Sequence, residues 1–249
     1  MAKTKKKQDS GLVETVKTVL YAVLIALGIR TVAYEPFNIP SESMLPTLLV
    51  GDYLFVSKFA YGYSRHSLPF GIGNALPAMG RMPAGMPKRG DVVVFKLPRD
   101  NSTDYIKRII GLPGDTIQMK GGVLFLNGKE VPRRRVDDFR YSARVQYVER
   151  IAQYVETLPD GRTYSTLDLM PRSDTDDTGV FTVPAGHVFA MGDNRDNSLD
   201  SRVAPERGGV GYIPVENIVG RAEVLFVSTE GALWEIWRWR FGRLFNLVD

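Results

Sequence analysis

Cysteine is missing from all 249 residues, and histidine occurs only twice, at His66 and His187. The first absence excludes a disulfide framework, a thiolate zinc site and a thiol nucleophile. It leaves the compartment open, because an exported protein can do without cysteine. The second absence narrows nucleophilic chemistry. A Ser-His-Asp triad would have to use one of the two histidines, and neither has an evident orienting carboxylate: His66 lies in a loose Gly/Pro stretch and His187 beside a turn glycine. The chain also lacks a long uninterrupted apolar run, since its most hydrophobic segment, residues 12–34, is broken by Glu14, Lys17 and Arg30. The positive residues are scattered in short clusters that form no nucleic-acid-binding motif. A net charge of +4 and a pI near 9.2 therefore point to a membrane surface as the acidic partner, with no nucleic acid expected.

What is present is a composition that is 44% hydrophobic, enough to bury a full core as one large β-rich domain or two smaller ones. Residues 1–11 form a basic segment, and residues 12–34, 23 in all, would reach roughly 34 Å as a helix, long enough for a hydrocarbon core of about 30 Å. Lys17 and Arg30 would snorkel toward opposite interfaces. A cleavable signal peptide also begins with a basic flank and a short apolar core. Thr31-Val32-Ala33-Tyr34 offers no small-x-small site in the needed phase, which favours a retained transmembrane anchor. Positive-inside then places the N-terminus in the cytoplasm and the rest outside the inner membrane.

Beyond the anchor the pattern is mostly β. Strand composition marks residues 52–59, buried on both faces at its centre, the β-branched run 92–97, and 105–110, with a long Gly/Pro/Met-rich surface loop over 60–89 whose apolar side chains either cover the core or dip into lipid. Residues 121–130 read as a hairpin around Asn127-Gly128, a pair suited to a type I′ turn. Residues 131–180 are more polar, and the Arg133-Arg134-Arg135 run reads as an ordinary solvated stretch. Strand character returns at 181–191 and 213–227. The expected organisation is a catalytic β domain from 36–115 and 185–249, interrupted by a second β lobe over 116–184. The tail from Leu233 to Phe245 has helical period, with Trp234, Trp237, Phe241, Leu244 and Phe245 on one stripe; a short amphipathic helix is expected, packed on the core or lying at the headgroup level of a bilayer.

Three stretches can carry chemistry. Residues 40–48 read Pro-Ser-Glu-Ser-Met-Leu-Pro-Thr-Leu, where the prolines disfavour a helix and hold Ser41 and Ser43 in a turned or extended loop. Ser-x-Ser in such a loop is commonly turn chemistry, yet the same loop can present a hydroxyl rigidly. In the strand at 105–110, Lys107 shares a face with Tyr105 and Ile109 while Arg108 shares one with Ile106 and Ile110. One of the two cations therefore faces an interior, unless Lys107 snorkels from an edge strand. Residues 192–202, Gly-Asp-Asn-Arg-Asp-Asn-Ser-Leu-Asp-Ser-Arg, lack the ligand spacing of an EF-hand and read as an internally braced loop. With histidine disfavoured, the base available to a serine is lysine. An amine taken out of water loses its charge more readily and can accept the hydroxyl proton near working pH.

The Ser-x-Ser loop, Tyr105-Ile106-Lys107-Arg108 with Gly111-Leu112-Pro113-Gly114-Asp115, and the run from Gly192 to Arg202, in this order behind an anchor, resemble the boxes of bacterial type I signal peptidases. The resemblance implies a membrane-anchored serine endopeptidase that removes signal peptides from exported preproteins after Ala-x-Ala, without metal or cofactor. It implies Ser43 as nucleophile, Lys107 as general base, Ser41 and the Ser43 N–H as the oxyanion hole, and Ser198 with Asp200 and Arg202 as supports. Ile39, Met44 and Ile106 match positions that bind substrate. One departure stands out: after Arg202 the family usually continues with an aromatic-Gly pair, whereas here 203–211 is longer and glycine-rich. The contrasting reading is a non-catalytic anchored β domain that binds secretory partners.

Overall fold

The computed structural model describes residues 3–68, 73, 77, 80–141, 149–170 and 172–248. The chain opens with α1 (Lys3–Val32), whose Leu12, Val16, Leu20 and Leu24 are exposed. Among the described residues no helix is long and apolar enough to cross a membrane. Glu14, Lys17 and Arg30 leave only residues 18–29 uncharged, short of the roughly 20 apolar residues a span requires. At its end, Lys58 donates a backbone hydrogen bond to the Ala33 carbonyl, and the fully buried Lys58 side chain pairs with Glu35.

The strands in chain order are β1 (Tyr34–Asn38), β2 (Asp52–Ser57), β3 (Val92–Lys96), β4 (Asp104–Gly111), β5 (Thr116–Lys120), β6 (Val123–Leu126), β7 (Lys129–Glu130), β8 (Arg133–Arg135), β9 (Phe139–Tyr141), β10 (Glu149–Thr157), β11 (Thr163–Asp168), β12 (Phe181–Thr182), β13 (His187–Met191), β14 (Ile213–Pro214) and β15 (Ile218–Ser228). Seven form one antiparallel sheet in the order β1-β2-β15-β3-β4-β13-β14. Its central strands are apolar on both faces because both faces are covered. Val92, Val94 and Ile106 pack with Leu54 and Val56, while Val93, Phe95 and Ile109 pack with Val188 and Ala190.

A four-stranded sheet, β12-β5-β6-β7, joins this body through Ile110, Phe189 and Met191. Its β6–β7 turn has positive φ at both Asn127 and Gly128, the type I′ geometry the Asn-Gly pair favours. The remaining strands form β11-β10-β8, with β9 also on β10. Here the arginine run is solvated as expected, with Arg134 and Arg135 exposed, and it is also structured. It is strand β8, paired to β10, with the guanidiniums of Arg133 and Arg135 lying 4.3 and 5.4 Å from the Tyr154 ring centroid. A planar cation can stack on an aromatic face and stay partly hydrated, so a run of charges serves in a sheet.

Two further expectations change. Within 60–89, the described residues include 3₁₀ turns at Phe59–Tyr61 and Arg65–Ser67 and a bridge between Tyr63 and Met82; Pro69, Phe70 and Met79 lie outside the described residues. The tail is not an amphipathic helix: it makes single 3₁₀ turns at Ile236–Arg238 and Phe241–Arg243. The reason is the sheet edge. β3 pairs β15 only as far as Arg221, and the tail's backbone takes over from there, with Leu225 N–H on Asn246 O, Phe245 N–H on Leu225 O and Val248 N–H on Glu223 O. An edge that would otherwise leave buried N–H and C=O groups unpaired outweighs helical periodicity.

Candidate active site

β4 builds the site because it is interior to the sheet for only part of its length. β13 pairs it from Arg108 to Gly111, so that Asp104 to Lys107 have no strand partner on that side among the described residues. This free stretch lines a cleft of ≈ 940 Å³ that also contains Ser41, Ser43 and Ser198. Both strand cations turn out to be buried, Lys107 and Arg108 alike, rather than one facing in and one out. They are separated by function of place: consecutive residues point to opposite faces, and each face has its own cover.

On the Lys107 side, the Nζ donates to Ser43 Oγ at 2.7 Å and to the Ile106 carbonyl at 2.9 Å. Burial lowers the ammonium to about 8, with the carboxylates of Asp200 and Asp193 pulling the other way. Removal from water costs the charged form more than these two partly neutralised carboxylates restore. The Ser41 hydroxyl lies 3.4 Å from that of Ser43. Among the described residues Ser198 Oγ is buried without a hydrogen-bond partner, and a Cβ added at Gly192 would stand 2.3 Å from it and 2.5 Å from the Ser43 carbonyl. Gly192 is thus the floor on which Ser198 and the Ser43 peptide meet.

The serine loop is held by its own turns, with Leu45 N–H on Glu42 O and Leu48 N–H on Met44 O, and by Asn194, whose N–H donates to the Ser43 carbonyl at 3.1 Å while its Nδ2 donates to the Glu42 carbonyl. On the other face of β4, fully buried Arg108 makes a two-pronged contact with Asp193, Nε to Oδ1 at 2.8 Å and NH2 to Oδ2 at 2.7 Å, and a third bond to Gly90 O. Thr47 donates to the same Asp193 carboxylate. Asp200 accepts from Arg202 and from the Gly192 N–H. Burial alone would raise its carboxyl, but Arg202 and these hydrogen bonds hold it below the usual range.

Of the substrate-contacting candidates, Ile106 lines the cleft, whereas Ile39 and Met44 lie fully buried in the cluster beneath it. Both histidines are occupied elsewhere: His66 bonds within its own 3₁₀ turn and His187 Nδ1 meets the Ala185 carbonyl. Thr47, Arg108, Asp193 and Asn194 were not singled out from sequence. For Asp193 and Asn194 the signal was the density of hydrogen-bonding side chains in 192–202, for Arg108 its place on a strand with apolar neighbours and for Thr47 its place in the serine loop, none of which names a partner.

The chain is matched over residues 12–227 by the family model described as "Signal peptidase, peptidase S26". It is 42% identical over 222 residues to signal peptidase I of Rickettsia typhi, covering 86% of this chain and 80% of that one. With signal peptidase I of Rickettsia canadensis it shares 40% identity over 239 residues, or 93% and 86% of the two chains. A solved signal peptidase I from Enterococcus faecalis is 26% identical, aligned over 55% of this chain and 96% of that one with a TM-score of 0.31. With the family model spanning most of the sequence and relatives of 40% identity or more over most of both lengths, the chain belongs to the signal peptidase family, peptidase S26.

Proposed function

We propose that this protein is a serine endopeptidase that removes signal peptides from exported preproteins, with Ser43 as nucleophile and Lys107 as general base. The observation that carries the residue assignment is the 2.7 Å contact between Lys107 Nζ and Ser43 Oγ, both buried, with the lysine's charge destabilised by its surroundings. Ser43 Oγ bonds to the scissile carbonyl carbon as its proton passes to Lys107; collapse breaks the C–N bond, and Lys107 returns the proton to the leaving amine. Water, deprotonated by the same lysine, then releases the acyl group and regenerates Ser43. The Ser41 hydroxyl and the Ser43 N–H receive the developing oxyanion, while Ser198 orients the lysine and the Asp200–Arg202 pair braces the loop.

The preprotein lies as an added strand along the free stretch of β4, its backbone giving affinity and its small side chains, as in Ala-x-Ala, meeting the surface formed by Ile106 over Ile39 and Met44. α1 anchors the enzyme in the inner membrane, N-terminus cytoplasmic, although its uncharged residues 18–29 are short for a span: the aliphatic stems of Lys17 and Arg30 lengthen the apolar stretch while their charges reach the two interfaces. Support comes from its exposed apolar side chains and the basic segment before them. Residues 116–184 form a lobe inserted into the catalytic domain. The test is cleavage in detergent of a preprotein bearing an Ala-x-Ala site. Wild type cuts after the second Ala, and Ser43→Ala and Lys107→Ala are each inactive while folded; a Lys107→Ala enzyme that still cuts would reassign the base.

A further inference from the structure

The strands between residues 133 and 168 reach the catalytic apparatus by three independent routes. Leu45, two residues beyond the nucleophile, is fully buried against Ile151 of β10 and Leu167 of β11. The backbone of Leu167 brackets the supporting loop, its N–H on the Asp193 carbonyl and its carbonyl accepting from Arg195 N–H at 3.0 Å. The side chains of Glu156 and Tyr164, both buried, seize two arginines. Glu156 binds Arg195 through paired bonds of 2.7 and 2.6 Å. Tyr164 donates to Glu156, accepts from Arg195 and lies 4.5 Å beneath Arg108.

From these anchors the grip passes to the reacting pair. The Arg195 carbonyl accepts from Arg202, which neutralises Asp200; Arg108 holds Asp193, and the next residue, Asn194, holds the Ser43 carbonyl. We infer that the β8–β11 sheet is a clamp for the active site, with Glu156 and Tyr164 as positioning residues that fix Ser43 against Lys107. An accessory partner-binding module would need none of these buried bonds to the Asp193 and Asp200 loop. The inference rests on Ser43 and Lys107 being the reacting pair.

The test compares Glu156→Gln and Tyr164→Phe with wild type on an Ala-x-Ala preprotein in detergent, each normalised to its folded fraction, with Ser43→Ala as a separate arm. Both variants are expected to lose about 10- to 100-fold in kcat with KM within about twofold, since small misplacements of reacting groups cost on that scale while the free stretch of β4 is untouched. Tyr164→Phe changes no charge, so its acid limb isolates geometry. The charged groups acting on Lys107 are Asp200 and Asp193, each neutralised by its arginine, with the Tyr105 ring 5.5 Å from the Nζ. Loosened arginines leave those carboxylates freer to favour the ammonium, so the limb moves to higher pH. Folded variants with unchanged kcat and limb, or a loss matching unfolded protein alone, overturn the clamp. Tyr164→Phe decides the matter if Glu156→Gln fails to fold. Turnover persisting in Ser43→Ala would instead refute the reacting pair.

Discussion

Asp193→Asn removes half of an ion pair that has no contact with water: Arg108 and Asp193 have side-chain exposures of 0% and 1%. The wild-type carboxylate accepts two bonds from Arg108 and one from Thr47, so the asparagine leaves a buried guanidinium with its charge uncompensated and an amide group facing it. Breaking one side of such a pair costs about 3–5 kcal/mol, against a total stability of roughly 5–15 kcal/mol for a protein domain. For a chain of this size that corresponds to a fall in melting temperature of roughly 6–20 °C. Replacing both partners by apolar residues, as in Arg108→Met with Asp193→Leu, should cost much less than the sum of the single changes, because no stranded charge remains. Chemical denaturation in detergent of the four proteins gives the coupling directly. The single variant also carries a kinetic signature: Asp193 favours the charged form of Lys107, so its loss moves the acid limb of kcat/KM to lower pH. A stability change within about 1 kcal/mol of wild type, or additive single and double changes, would refute the claim that this pair locks the loop.

Lys107, lowered to about 8 from an ordinary 10.5, must be neutral to accept a proton, so kcat/KM should fall below pH 8 and level above it; a limb near 10.5 would contradict the buried base. The sign for stability follows: the unfolded chain holds the lysine proton more tightly, so stability is lost as pH falls from 10.5 to about 8. Lys107→Met should therefore be inactive yet at least as stable as wild type at pH 7 in equilibrium unfolding, with its advantage shrinking toward pH 10. Gly192→Ala would place a methyl against Ser198 Oγ and the Ser43 carbonyl, costing about 1–3 kcal/mol of overpacking and most of the turnover; full activity in that variant would show that the floor of the site can give. Arg243→Ala removes the 2.6 Å partner of fully buried Asp52 and a bond to the Thr47 carbonyl, so thermal unfolding should report a loss of up to about 3 kcal/mol, and an unchanged midpoint would mean that Arg240, 3.9 Å away, suffices.

Local chemistry in the sequence determined a good deal of this protein. The β-branched and apolar runs over residues 92–97 and 105–110 favour extended chain, and β3 and β4 lie where those runs place them. Asn127-Gly128 selects its turn because both positions need positive φ. The prolines around Ser43 and the apolar neighbours of Lys107 marked a rigid hydroxyl and an amine on a strand. The elimination of cysteine and histidine then joined them into one hypothesis. Tertiary structure alone decided what no period encodes. The tail's helical stripe yielded to the unpaired edge of β15, because unsatisfied backbone groups cost more than a lost helix in a short segment. Arg108 found Asp193, 85 positions away, and Glu156 found Arg195, 39 positions away; such pairings depend on which strands the sheet order brings together, and no residue taken singly names its partner. Burial did the rest. The Lys107 ammonium loses its water only where β13 stops and the serine loop closes over it, conditions that belong to the assembled fold and not to any stretch of the chain.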